Sequence, residues 1–132
     1  MIAAVLETDA PTRLYSGLSL LVSAASAGTE VRALAGFASL PLLLEEGDAL
    51  ASRAAQRASA PHMSHDERDR FARSLVELRD LAVALPGLQL WACSAALDTT
   101  DVERAAVEAR LAGVRSMDAF LRETAGAELL FV

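Results

Sequence analysis

Apolar residues in this chain cluster in short continuous runs that alternate with longer stretches of helical period. Ile2 to Leu6 is the first such run, the pattern of a strand buried on both faces. Asp9, Pro11 and Thr12 supply turn and helix-start residues. Leu14, Leu18, Leu21, Val22 and Ala25 then recur at helical spacing up to a natural stop at Gly28. Glu30 to Ala35 reads as a second strand, ending at Gly36-Phe37. Strand, helix and strand within about three dozen residues make a βαβ unit, whose crossover is normally right-handed.

The middle of the chain is less regular. Leu40 to Leu50 is apolar, carries Pro41 near its start and predicts a helix with Gly47 in its interior. Residues 47–66 have the weakest pattern and read as a mobile or variable segment: a lid, an interface or a loop. Ser64 and Glu67 form a capping box, and behind them Phe71, Leu75, Leu78, Ala82 and Leu85 make one helical face that Pro86-Gly87 ends. Leu88 to Ala92 is a third strand. Thr100 and Glu103 form a second capping box that places a helix start near Asp101, with Val107 and Leu111 apolar and Gly113 as terminator. Val114-Arg115 is a very short strand, Ser116 caps a helix from Met117 to Glu123, and Glu128 to Val132 is the last strand. The alternation, without a hairpin turn, predicts a single three-layer α/β/α domain over residues 1–132. Its mostly parallel sheet of four to five strands is covered on both faces.

Composition then narrows the function. A hydrophobic content of 53% and a mean hydropathy of +0.31 raise the question of a membrane span. The charge-free stretch Leu14 to Thr29 falls short of the roughly 20 apolar residues of a spanning helix and is dotted with Ser16, Ser19, Ser23 and Ser26. It reads as a buried helix, so no membrane partner is expected. The start of the chain lacks a basic-then-apolar leader, and one cysteine cannot build an intrachain disulfide framework; both point to the cytoplasm. The net charge is -6, and all 12 basic residues are arginines scattered among acids, which gives nucleic-acid binding no electrostatic footing. The lack of lysine excludes a P-loop and Schiff-base catalysis. No G-x-G-x-x-G follows the first strand, where the chain reads Glu7-Thr-Asp-Ala-Pro11, and no cofactor is expected.

Candidate chemistry centres on Cys93, where the run Leu88-Gln-Leu-Trp-Ala-Cys93 breaks into Ser-Ala-Ala-Leu-Asp98. In parallel α/β folds ligands gather at the carboxyl ends of strands, so a thiol there suits a nucleophile or sulfur carrier. The competing reading is a small buried apolar residue, the usual state of free cysteine. The spacing favours an accessible thiol over an activated one, because Asp98, Asp101 and Glu103 share the turn and oppose a thiolate. Ser94 and the amides after it are the groups best placed to steady an anionic sulfur. Phe37 and Trp91, near strand ends, are candidate pocket walls or plain core. His62 and His65, with Asp66 and Cys93, suggest a zinc site or a Cys-His pair only weakly, since His65 and Asp66 read as a solvated first turn, and no metal is expected.

The segment Trp91-Ala-Cys-Ser-Ala-Ala-Leu-Asp98 resembles the Ala-Cys-Ser-x-Ser-x-Asp signature of DsrE/DsrF-like proteins, small sulfur-relay proteins often labelled peroxiredoxin-like. Gly36-Phe37 leading into Leu-Pro-Leu-Leu-Leu44 is also similar to that family. So are Ala112-Gly-Val, Ala119-Phe-Leu and the close Glu128-Leu-Leu-Phe-Val132. The resemblance implies a five-stranded, mostly parallel α/β sandwich assembled as a homo-oligomer. It also implies a persulfide on Cys93 exchanged with protein sulfur donors and acceptors. The chain departs from the pattern at Ala96, where the family has its second Ser, and at Thr99-Thr100, where Met-Gly often stands. A non-catalytic binding or assembly module, with Cys93 in the core and the first helix against another subunit, is the alternative.

Overall fold

Five strands form one sheet in the order β4-β3-β2-β1-β5, and every pairing is parallel. The computed structural model describes residues 1–57 and 63–132. Along the chain run β1 (Ile2–Leu6), α1 (Pro11–Ser26), β2 (Val31–Ala35), α2 (Leu40–Leu44), α3 (Gly47–Arg57) and α4 (His65–Ala84). Then follow β3 (Leu88–Cys93), α5 (Ser94–Thr99), α6 (Arg104–Arg110), β4 (Gly113–Arg115), α7 (Met117–Glu123) and β5 (Glu128–Phe131). The predicted α/β class and strand positions agree with this order, and no described helix is long and apolar enough to cross a membrane.

Local chemistry explains most boundaries. Pro11 takes the first turn of α1, where a missing N–H costs nothing. Gly28, at φ +94°, closes α1 in a Schellman turn: its N–H donates to Ala25 and that of Thr29 to Ala24, each at 3.0 Å. The Ser64 hydroxyl accepts from the Glu67 N–H, and that of Ser116 from the Ala119 N–H, as their caps predict.

Two expectations need correction. Leu40 to Leu50 is not one helix: α2 ends at Leu44, and Gly47 opens α3 instead of lying in its interior. Within the segment 47–66, residues 47–57 form α3, which packs Leu50 and Ala54 into the core, and residues 58–62 lie outside the described residues. The Thr100–Glu103 capping box does not form. Thr100 is spent at the end of α5, its hydroxyl donating to Ala96 O, and Glu103 itself is the residue before α6.

The two faces of the sheet are covered unequally. On one lie Ile2, Ala4, Leu6, Val31, Ala33, Ala35, Leu88, Leu90 and Ala92, brought together by the strand register. Its alanines let α1 and α4 approach closely, and Leu14, Leu18, Leu21 and Leu75 are fully buried against it. The chain steps one strand at a time from β1 to β4, then returns across the sheet to β5. A right-handed crossover in the reverse direction puts its helix on the opposite face. That helix is the seven-residue α7, whose Phe120 is buried. It covers Ala3, Val5 and Leu34 but leaves Gln89, Leu129 and Phe131 exposed. The predicted three layers are present, the third of them thin.

Arg79 joins the central helices. It sits on the buried face of α4 with Ala72, Leu75 and Ala82, and only 1% of it is exposed. That face is rotated from the predicted one, leaving Phe71 and Leu78 half-buried. The Arg79 guanidinium donates to the carbonyls of Leu42 (3.0 Å) and Glu45 (2.6 Å) at the end of α2. Its Nε meets Asp80 at 2.8 Å, and Arg110 donates to the same Glu45 carbonyl. The Glu45 carboxylate hydrogen-bonds Arg53 of α3 and holds that guanidinium above its ordinary pKa. Arg79→Met, which keeps the bulk but strands the Leu42 carbonyl and takes one of two donors from Glu45, is expected to lower stability by about 3 kcal/mol in urea unfolding.

Candidate functional site

The carboxyl edge of the sheet sets four residues in one row. Cys93 is the register partner of Arg115 across β3 and β4. One step past the last pairs of β1–β2 and β2–β3, Glu7 and Gly36 continue the row, and the Gly36 N–H still donates to Leu6 O at 2.8 Å. All four positions belong to the thinly covered face, since alternation places Cys93 with Trp91 and Arg115 with Gly113.

Gly36 has an ordinary negative φ, so it is glycine for room and not for backbone freedom. The Glu7 carboxylate fills the place a Cβ would take, while its Oε1 accepts from the Ala38 N–H at 3.3 Å. A carboxylate thus lies across β2, on the side of the sheet that bears Cys93. On the other flank the Arg115 guanidinium stacks 3.8 Å from the centroid of the Trp91 ring and its Nε meets Glu123 of α7 at 3.2 Å. Gly113, at φ +136°, leaves space for that ring.

Cys93 itself closes β3 and stands as the N-cap residue of α5, which starts at once and not near Asp101. Its side chain makes no capping hydrogen bond with the first turn of α5. The expected accessible thiol is not seen: Cys93 is 7% exposed and belongs to the hydrophobic core cluster. Ser94 is the first residue of α5 and is partly exposed, whereas Asp98, Asp101 and Glu103 point to solvent. The predicted acidic turn is therefore spread over the surface instead of gathered on the sulfur.

The remaining candidates separate. Phe37 follows β2 and is about half exposed, while Trp91 is packed under Arg115. His65 has an 89% exposed side chain and reaches Asp69 at 3.5 Å along α4, in line with a solvated first turn. His62 lies outside the described residues. Among the described residues no three His, Cys, Asp or Glu side chains come together as a metal site would require.

Glu7 and Arg115 are the neighbours that motif reading missed. Each directly follows or ends an apolar strand run, and that position is the signal the sequence held. Compared with models of known protein families and with curated proteins, the chain matches none.

Gly36→Ala is expected to displace the Glu7 carboxylate and cost about 1 kcal/mol, the value of its bond to the Ala38 N–H. Glu7→Ala should cost a similar amount, and the double variant no more than either alone. A double-mutant cycle in urea measures that coupling.

Proposed function

We propose that the protein is a sulfur carrier of the reducing cytoplasm, with Cys93 as the carrying thiol and protein thiols as donor and acceptor. The observation that supports this most is the place of Cys93: the last residue of a central parallel strand, heading a helix, with Arg115 opposite it in register. The Ala-Cys-Ser resemblance to DsrE/DsrF-like proteins agrees with that place. In the first step the Cys93 thiolate attacks the outer sulfur of a donor persulfide, R–S–SH. A new S–S bond forms on Cys93, the donor's S–S bond breaks, and R–S⁻ departs. An acceptor thiolate then attacks the outer sulfur of the Cys93 persulfide, takes it, and releases the Cys93 thiolate. Ser94 and the amides that follow are the groups proposed to steady the anionic sulfur. The proposal includes a homo-oligomeric assembly.

The near-complete burial of Cys93 favours a second reading, an assembly module in which the thiol is structural. Incubation of the reduced, folded protein with an inorganic polysulfide separates the two. The carrier predicts a mass gain of one sulfur that a thiol reductant removes and that Cys93→Ser abolishes. No gain in the folded state, with the thiol reacting only in denaturant, establishes the structural reading.

A further inference from the structure

We infer that the free edge of β5 is a homodimer interface. Two copies of the chain pair β5 against β5 about a two-fold axis at Leu130, joining their five-stranded sheets into one. The inference deepens the assembly part of the proposal above by naming the face and the register.

The backbone sets which groups are free. The N–H groups of Glu128 and Val132 donate to Met1 and Val5 on β1, and the Val132 carbonyl accepts from Glu7. By alternation, the N–H and C=O groups of Leu129 and Phe131 point away from β1, out of the sheet. Antiparallel pairing can match outward groups only with outward groups. Setting Leu129 opposite Phe131 of the second copy does so over the whole run from Glu128 to Val132 and puts Leu130 opposite itself.

Exposed strand edges are normally blunted by short length, charge, proline or a bulge. The other edge of the sheet follows that rule: β4 has three residues and ends in Arg115. β5 is nearly as short, four residues opening with Glu128, but Leu129 and Phe131 leave apolar surface in solvent, 57% and 70% exposed. On the same face, helical spacing puts Met117 and Leu121 on the side of α7 away from Glu123, which faces β4, and hence toward β5. Both are about half exposed. The four side chains offer on the order of 400 Å² of apolar surface per copy, about half of the ~800 Å² per partner of a standard interface.

Charge selects the second copy as occupant. Gly17 of α1 packs against Val132, and Arg13, one turn earlier, borders the same strand end in a cleft with Glu7, Thr8, Phe131 and Val132. Across the two-fold axis, Glu128 of one copy lies opposite Val132 of the other, on the face that α1 covers and so beside Arg13. Symmetry forms this pair twice. Among the described residues neither Arg13 nor Glu128 takes part in an ion pair within the chain.

Sedimentation over a concentration series tests the interface on the whole chain. The wild type is expected to dimerise. Arg13→Glu should raise the dimer dissociation constant about tenfold, and Arg13→Glu with Glu128→Arg should restore it. Both positions are exposed, so folding is not at stake. In a Cys93→Ser background, Leu130→Cys should give a covalent dimer on mild oxidation, since facing residues of a non-hydrogen-bonded pair lie within disulfide reach. A wild type that stays monomeric overturns the interface, as does an assembly indifferent to reversal of Arg13 or a Leu130→Cys chain that does not cross-link. Cys93 lies on β3, with β2 and β1 between it and β5, so these results and the polysulfide result are read separately.

Discussion

A buried guanidinium holds the central part of this fold in place. α2 is five residues long, and its last carbonyls lack the partners that a longer helix would supply. Arg79 supplies donors to Leu42 and Glu45 from the middle of the twenty-residue α4. Through the same Glu45 carbonyl it is tied to Arg110 and so to the approach to β4. Its own charge is balanced by Asp80 at the rim rather than by a buried carboxylate, which avoids a second desolvation cost. The strand ends that carry Cys93 and Arg115 are positioned by elements that this one side chain joins.

The second constraint is topological. Three successive crossovers in one direction build a thick helical layer, and the single return crossover supplies only α7 to the other face. That imbalance puts Cys93, Trp91, Arg115 and the Glu7 carboxylate under a thin cover. It also leaves the apolar side chains of β5 facing solvent. The candidate site and the proposed dimer edge are thus two consequences of the same strand order, at opposite sides of the same face.

The strands and the ends of α1, α4 and α7 are legible in the sequence, because those depend on neighbours along the chain. Pro11, Gly28, Ser64 and Ser116 act through bonds to residues within four positions, and each does what its type predicts. The misreadings share a cause. Gly47 reads as a helix-interior position and Thr100 as a cap, yet both choices depend on packing from other elements. Arg79 looked no different from the other arginines of α4, since only the tertiary fold decides which of them turns inward. Cys93 was found at once as the end of a strand run, but its burial depends on what covers the row.

By itself, then, the sequence determined the α/β alternation, the strand limits and the position of one thiol at a strand end, because these follow from periodicity and local capping. The tertiary structure alone decided the strand order, the uneven faces, the inward turn of Arg79 and the company of Cys93. Those depend on contacts between residues far apart in the chain, such as Glu7 with Gly36 and Arg79 with Glu45, for which local sequence carries no signal.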